Sequence, residues 1–202
     1  MWSDRMRIIA GTHKGRALKA VPGKDTRPTT DKVKEAVFQM MGPFFDGGSC
    51  LDLFAGSGSL GIEALSRGMD RAVFVDRQNK AIHTIQENLE MLKISNLSEV
   101  YRTDANRAIQ ILSKKNMTFT LILLDPPYKK ADYEKLIRSI IKSSLLKDGG
   151  MLYCEHDAAD QMPLLNKELQ IIKQANYGTI GITMYRKGEN EHDKIGSLPR
   201  KL

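Results

Sequence analysis

The feature that most constrains the fold is a regular alternation of strand-like and helix-like segments, which begins at residue 49. Short apolar runs bounded by turn residues predict strands, and the segments between them carry apolar residues at helical spacing. Strands that alternate with helices favour a parallel sheet with helices on both faces. The predicted strands are Ser49–Phe54, Arg71–Asp76, Glu99–Arg102, Phe119–Leu124 and Met151–Glu155, and the clearest helices are Ala81–Leu92 and Asp132–Leu145.

The last two strand-like runs depart from this alternation. Gln170–Asn176 and Thr179–Arg186 flank Gly178 with no helix between them. They predict a closing hairpin, so that the last strand runs antiparallel to the others. The expected fold is therefore α/β, with a doubly wound and mostly parallel sheet.

The first thirty residues are predicted to form a basic extension ahead of this domain. Residues 7–10 and 16–21 flank a glycine-containing turn and indicate a short hairpin, after which 22–30 is a loop. Asp31 can cap a helix that continues to about Met41. We therefore divide the chain into the extension 1–30, a catalytic domain 31–187 and a polar, disordered tail 188–202.

The net charge of +7 is concentrated at the ends of the chain. Residues 1–36 hold nine Lys and Arg against four Asp and Glu, residues 37–185 balance to zero, and residues 186–202 carry +2. Localised basicity is typical of proteins that bind a polyanion such as nucleic acid. A solvated basic face that only maintains solubility is the alternative on charge alone.

The cysteines, the histidines and the length of the apolar runs give no sign of a disulfide, a metal site or a membrane span. Cys50 and Cys154 lie in apolar strand-like runs and are expected to be buried and reduced, with one strand between them. The four histidines lack the spacing of metal ligands, so no metal is expected. No apolar run approaches the roughly 20 residues that cross a bilayer. We expect a cytoplasmic protein without a membrane partner.

A glycine-rich turn follows the first core strand. Gly56 and Gly58 allow the backbone to turn sharply beside a ligand, and Gly61 allows a helix to pack closely on a strand. Asp76 ends the next strand, where a carboxylate can accept both ribose hydroxyls of a nucleoside. The pattern is shared with nicotinamide dehydrogenases, and a turn needed only for chain geometry is a further alternative.

Two other carboxylates favour S-adenosylmethionine as the cofactor. Asp52 suits the cationic end of a methionine moiety better than it suits a pyrophosphate, and Asp104, before Ala105, can accept from an adenine amino group. Either residue alone could be a helix cap. Together with Asp76, these two carboxylates would line the crevice beyond the carboxyl ends of the strands. The candidate cofactor-binding residues are Asp52, Phe54, Ala55, Gly56, Gly58, Asp76, Arg77, Asp104 and Ala105.

The segment Asp125-Pro126-Pro127-Tyr128, at the end of an apolar strand, is the most informative in the chain. An exocyclic amine on a base is a poor nucleophile because its lone pair is delocalised into the ring. Hydrogen bonds from its two protons to the Asp125 carboxylate and the Pro126 carbonyl would bend the nitrogen toward a tetrahedral geometry. The prolines fix the backbone, and Tyr128 can stack on the base. A proline-rich turn beside a surface aromatic is the structural alternative.

These residues resemble class I S-adenosylmethionine-dependent methyltransferases that methylate amines. More narrowly, the chain resembles the bacterial RsmD family, which methylates N2 of a guanine in 16S ribosomal RNA. The resemblance covers nearly the whole chain, and two N-terminal segments narrow it to this family. They are Met6–Gly11 with Lys14-Gly15-Arg16, and Thr26–Asp31 leading into Val33–Phe38.

The resemblance implies a seven-stranded, Rossmann-like sheet with an N-terminal hairpin extension. It implies that S-adenosylmethionine is held by the Gly56 loop, Asp76 and Asp104, and that Asp125–Tyr128 handle the base. The expected partner is 16S rRNA within small subunits or their assembly intermediates, and a monomer is expected. The candidate RNA-binding residues are Arg7, Lys14, Arg16 and Arg27.

Four other functions stay open at this point. A DNA adenine-N6 methyltransferase would use the same tetrapeptide, but the interval Gly61–Asp125 has no room for a DNA-recognition insertion. A protein glutamine methyltransferase more often carries Asn in place of Asp125. A nicotinamide oxidoreductase has no use for the tetrapeptide. A non-catalytic RNA-binding assembly factor could keep the fold, and a methyl-transfer assay separates it from an enzyme.

Overall fold

The computed structural model describes residues 6–23, 31–126, 132–165 and 168–188. Within these ranges seven strands form one sheet, and five α-helices and a short 3₁₀ turn at Ser95–Leu97 pack around it. The strands are β1 Ser49–Asp52, β2 Arg71–Asp76, β3 Ser98–Arg102, β4 Phe119–Leu124, β5 Leu146–Asp157, β6 Leu169–Tyr177 and β7 Ile180–Lys187. The helices are α1 Asp31–Met41, α2 Ser59–Ser66, α3 Asn79–Leu92, α4 Ala105–Lys114 and α5 Tyr133–Lys142.

The strand order is β3-β2-β1-β4-β5-β7-β6. Strands β1 to β5 pair in parallel, whereas β7 lies between β5 and β6 and runs antiparallel to both. The predicted α/β fold, with its antiparallel last strand, is confirmed. Because the order reverses between β1 and β4, the carboxyl ends of these strands border a crevice in which such folds bind ligands.

Two packed layers of side chains cover the sheet. Alternate residues of β1 and β4 point to opposite faces, so that Cys50 and Leu121 join one cluster and Leu51 and Ile122 join the other. Helices α1, α2 and α3 contribute to the first cluster, and α4 and α5 contribute to the second. Cys50 and Cys154 are free and buried on opposite faces with β4 between their strands, as predicted.

Some predicted boundaries shift because backbone conformation overrides the apolar pattern. Helix α5 ends at Lys142, and Ser144 follows in a left-handed conformation with φ of 53°. The chain then enters β5 at Leu146, which pairs with Phe119, so β5 begins five residues earlier than the predicted Met151. Strand β1 ends at Asp52 rather than Phe54 because the glycine-rich turn begins there.

The predicted N-terminal hairpin is present in a short form. Arg7 and Ala17 form an antiparallel bridge, and the flanking backbone bonds run from Ile8 N to Arg16 O at 3.0 Å, from Gly15 N to Ile8 O at 2.8 Å and from Leu18 N to Met6 O at 2.8 Å. The backbone N–H groups of Ile9 and Ala10 donate to the Glu63 carboxylate of α2. Ile8 is fully buried in the first cluster. The segment is therefore packed on the catalytic domain. Residues 1–5, 24–30 and 189–202, to which parts of the predicted extension and tail belong, lie outside the described residues.

Candidate active site

The glycine-rich turn connects β1 to α2 at the edge of the crevice. Gly56 and Gly58 have φ of 55° and 81°, values that glycine adopts without strain. A Cβ on Gly56 would meet nothing within 4 Å, whereas a Cβ on Gly61 would lie 2.4 Å from the Phe74 ring. Gly61 therefore allows α2 to approach β2, as predicted, and Gly56 borders open space that a ligand can occupy.

Asp76 ends β2 beside this turn and fixes its conformation. Its Oδ2 accepts from Gly56 N at 3.0 Å, and its Oδ1 accepts from Gln78 N at 2.8 Å. A carboxylate has about four lone-pair positions, so these two bonds leave capacity for ribose hydroxyls. The position of Asp76 fits the role predicted for it.

Asp52 lies deeper, at the end of β1, and is only 2% exposed. Its Oδ2 accepts from Gly61 N at 3.0 Å, which ties the strand to α2. Burial raises the pKa of Asp52 to about 7, while the hydrogen bond from Gly61 opposes the shift and the nearby Asp76 adds to it. A cation placed near this carboxylate would offset the cost of its burial. The cationic amino group of a methionine moiety is such a cation.

The remaining candidates for cofactor binding lie around the same crevice. Phe54 is partly buried against the second cluster, and Ala55 is buried, with its N–H donating to Val75 O at 2.9 Å. Arg77 is exposed directly after β2. Asp104 is the N-cap of α4 and accepts from Arg107 N at 3.0 Å, so it has the capping role as well as a position at the crevice.

Asp125 and Pro126 are half-buried and directly follow β4. Asp125 is the residue directly after β4, in which Leu121 and Leu123 point to the first face of the sheet. Burial raises the pKa of Tyr153 well above its usual value, and the charges of Glu155 and then Asp125 add to this effect. The Asp125 carboxylate therefore lies close enough to Tyr153 for its charge to act on that hydroxyl. Pro127, Tyr128 and Arg27 lie outside the described residues.

Sequence reasoning missed Glu155, which lies at the same edge, near the end of β5. It is half-buried, and its Oε2 accepts from the Tyr153 hydroxyl at 2.9 Å. Burial raises the pKa of Glu155, and the Tyr153 hydrogen bond and the charge of His156 oppose this shift. The available signal was a carboxylate at the end of an apolar strand, the same signal that identified Asp76 and Asp125.

A buried ionic network that sequence reasoning also missed joins the N-terminal segment to the catalytic domain. Glu63, fully buried on α2, contacts Arg67 Nε at 2.8 Å and Lys34 Nζ at 3.3 Å. Lys34 Nζ also donates to Arg7 O at 2.5 Å and to Ser59 Oγ at 3.1 Å. Burial lowers the pKa of Lys34, and the charge of Glu63 opposes that effect. This network fixes α1 and the N-terminal segment next to the first turn of α2.

Asn88 makes a second connection between the same segment and the glycine-rich turn. It is fully buried on α3 and accepts from Lys19 N at 2.8 Å. Its amide donates to Lys19 O at 3.1 Å and to Ser57 O at 2.9 Å. A polar residue on the apolar face of α3 was the sequence signal for this role. Asn88 therefore connects the N-terminal segment directly to the glycine-rich turn.

The predicted RNA-binding residues that the structure describes, Arg7, Lys14 and Arg16, are exposed but differ in their contacts. Arg7 Nε lies 2.6 Å from Asp31 Oδ2, and Arg16 donates to Met91 O at 3.4 Å. Lys14 is exposed in the turn that the bridge encloses. They lie on one N-terminal segment, as a common binding surface requires. Among the described residues no group of three or more potential metal ligands comes together, and no helix is long and apolar enough to span a membrane.

Comparison with known proteins identifies the family. A family model described as "Conserved hypothetical protein 95" matches residues 6–186. The YlbH protein of Bacillus subtilis is 48% identical over 182 residues, which are 90% of this chain and 99% of that protein. The Haemophilus influenzae protein named "Ribosomal RNA small subunit methyltransferase D" is 32% identical over 184 residues, covering 90% of this chain and 93% of that protein.

A solved structure supports the same assignment. The yhhF protein of Escherichia coli superimposes with a TM-score of 0.79 at 27% identity, covering 92% of this chain and 99% of that one. The chain therefore belongs to the family described as conserved hypothetical protein 95, the RsmD family of class I S-adenosylmethionine-dependent methyltransferases.

Proposed function

We propose that this protein transfers a methyl group from S-adenosylmethionine to the exocyclic N2 amine of a guanine in 16S ribosomal RNA. The relative from Haemophilus influenzae is named for methylation of small-subunit ribosomal RNA. The observation that carries the proposal is the position of Asp125 and Pro126. They follow β4, and β4 pairs directly with β1, whose end leads into the glycine-rich turn. An amine acceptor and a cofactor turn therefore border one crevice.

The residues around the crevice fit S-adenosylmethionine. Asp76 offers lone pairs to ribose hydroxyls, Asp52 offers a desolvated carboxylate near the position of an amino group, and Asp104 offers an acceptor to adenine. The open space beside Gly56 leaves room for the ligand backbone. When bound, this cofactor supplies a methyl group on a positively charged sulfur, so the leaving group is already activated.

The chain then has to make a flat amine nucleophilic. The Asp125 carboxylate accepts one amine proton in a hydrogen bond, and the Pro126 carbonyl accepts the other, which turns the nitrogen lone pair out of the ring plane. Bound S-adenosylmethionine would supply the methyl group to this nitrogen, and Asp125 would accept the proton that the nitrogen gives up. Tyr128 is proposed to stack on the base and Pro127 to stiffen the loop. Catalysis rests on positioning and electrostatics.

The substrate is proposed to be rRNA within small subunits or their assembly intermediates, bound by a monomer of the protein. Supplying a labelled methyl donor to naked rRNA, small subunits, large subunits and DNA in parallel tests this directly. Mapping the labelled base then shows whether N2 of guanine is the site. Label in DNA adenine would replace this function with the competing one, and no transfer to any substrate would favour a non-catalytic RNA-binding protein.

Asp125→Ala tests the role of the tetrapeptide. It should abolish turnover, because one of the two proton acceptors is lost, while the affinity for S-adenosylhomocysteine stays within a few-fold of wild type. Asp132→Ala is the matched control. Asp132 caps α5 by accepting from Lys135 N at 2.9 Å, so its loss should cost about 1 kcal/mol of stability and leave turnover intact. Full activity in Asp125→Ala would refute the assigned role.

Reversing two charges tests the RNA-binding surface. Lys14→Glu combined with Arg16→Glu should weaken binding to rRNA and reduce the slope of log affinity against log salt by roughly 1.4 to 1.8, because each phosphate contact contributes about 0.7 to 0.9. The control combines Lys142→Glu with Lys173→Glu, which are exposed on α5 and β6. Equal effects of the two pairs on the slope would remove the N-terminal segment from the RNA site.

A further inference from the structure

Glu155 and Asp125 form a pair of carboxylates at the ends of two adjacent parallel strands. Leu124 on β4 pairs with Cys154 on β5, and Asp125 and Glu155 are the next residues on each strand. Neighbouring strands lie about 4.8 Å apart, so the two residues start from adjacent positions at the edge of the crevice. The reaction proposed above uses Asp125 and leaves Glu155 without a role.

Asp125 and Glu155 hold equivalent positions two residues after a member of the first cluster. Side chains alternate along a strand, and Leu123 and Tyr153, two residues before Asp125 and Glu155, both belong to the first cluster. The hydrogen bond from the Tyr153 hydroxyl to Glu155 Oε2 confirms this direction for Glu155. Glu155 therefore projects toward the face that carries the glycine-rich turn and the basic N-terminal segment, and Asp125 starts from the adjacent backbone position.

The structure holds Glu155 in place instead of leaving it free to move. The Tyr153 hydroxyl donates to its side chain, and the Tyr133 hydroxyl donates to its backbone carbonyl. Tyr153 is fully buried and Tyr133 is nearly so, so neither ring has room to move. Glu155 itself is half-buried, which removes much of its water but keeps it accessible from the crevice. A fixed, partly desolvated acceptor of this kind gains strongly from a donor on a ligand.

Guanine and adenine differ beside their exocyclic amines in a way that this pair of carboxylates can detect. Guanine presents an N1–H donor next to its N2 amine, whereas adenine presents an unprotonated N1 acceptor next to its N6 amine. A carboxylate attracts the donor and repels the acceptor. We propose that Glu155 selects guanine by accepting a hydrogen bond from N1–H while Asp125 holds the N2 amine. This inference rests on the proposed guanine-N2 function.

The decisive probe is RNA in which 2-aminopurine replaces the target guanine. This base keeps the 2-amine that would be methylated but has an unprotonated N1. Wild-type protein should methylate the guanine RNA about 10- to 100-fold more efficiently by kcat/KM, the ratio expected for one hydrogen bond to a charged group. In Glu155→Gln the amide can donate to N1 of 2-aminopurine. The ratio of kcat/KM for the guanine RNA to kcat/KM for the 2-aminopurine RNA should therefore fall to about threefold or less. The kcat/KM for the guanine RNA should itself be reduced.

Two tyrosine variants provide an independent test if Glu155→Gln does not fold. Tyr153→Phe removes the hydroxyl that orients the carboxylate and should reduce the preference several-fold. Tyr185→Phe is the matched control, since this buried hydroxyl donates instead to Pro163 O at 3.0 Å, and its preference should equal that of wild type. Binding of S-adenosylhomocysteine checks that each variant is folded.

The outcomes separate this inference from the function on which it rests. If wild-type protein forms N2-methylguanine but Glu155→Gln and Tyr153→Phe keep the wild-type preference, Glu155 does not read the base and the proposed function stands. If the wild-type product is not N2-methylguanine, the proposed function is wrong, and the inference about Glu155 is wrong as well. A wild-type protein that methylates both RNAs equally well would also overturn the inference, because no N1–H contact would then exist.

Discussion

Replacement of Glu63 by glutamine should be among the most destabilising conservative changes in this protein. The carboxylate is fully buried and receives four donors, from Arg67, Lys34, Ile9 N and Ala10 N. Glutamine removes the charge that balances two buried cations and turns an amide toward them. Breaking a buried ion pair from one side costs about 3–5 kcal/mol. At about 2–4 °C per kcal/mol for a chain of this length, the midpoint of thermal unfolding should fall by roughly 6–20 °C.

The chain contains a matched control for this experiment. Glu134 and Arg138 have the same chemistry and the same i,i+4 spacing on α5, but both side chains are more than half exposed. Glu134→Gln should cost about 0.5 kcal/mol or less, because water already screens such a pair. Urea unfolding and calorimetry of the two variants beside wild type measure the difference. Equal losses would refute the reasoning, since burial could not then be the cause of the Glu63 effect.

Two further predictions concern the glycine-rich turn and Asp52, the last residue of the strand before it. The pKa of Asp52, raised from 3.8 to about 7, means that its contribution to stability is fully present below pH 3.8 and is lost as the pH rises through 7. As the pH rises between these values, the free energy of unfolding of Asp52→Asn should therefore increase relative to that of wild type by up to about 4 kcal/mol. The variant should also bind S-adenosylhomocysteine more weakly. A difference in unfolding free energy that does not change with pH would contradict the stability prediction. Gly61→Ala should cost more than 1 kcal/mol in urea unfolding, because its Cβ would overlap the Phe74 ring. Gly56→Ala should instead chiefly reduce cofactor affinity in calorimetry, and a reversed pattern would show that the two glycines have been assigned the wrong roles.

Much of the fold could be predicted from the sequence because its signals are local. Apolar runs, helical spacing and glycine positions depend on neighbours along the chain, and they predicted the bounds of β2 and β4 and the antiparallel direction of β7. The carboxylates Asp76 and Asp125 were proposed in the same way, because each follows an apolar run and parallel strands end at a common edge, and Asp52 was proposed because it opens the glycine-rich motif. The short N-terminal hairpin was also predicted from local signals, but they did not predict that Ile9 N and Ala10 N donate to the distant Glu63.

The sequence by itself determined the order of the elements, the glycine-rich turn and the residues that follow each strand, because each of these depends on a few adjacent residues. Only the tertiary structure decided what those residues meet. It brought Glu63 to the N–H groups of Ile9 and Ala10, more than fifty positions away, and joined Lys19 to Ser57 through Asn88. It also set Glu155 beside Asp125 on neighbouring strands. Such contacts depend on how the sheet is ordered and how the helices pack on it, and no local pattern of residue types contains that information.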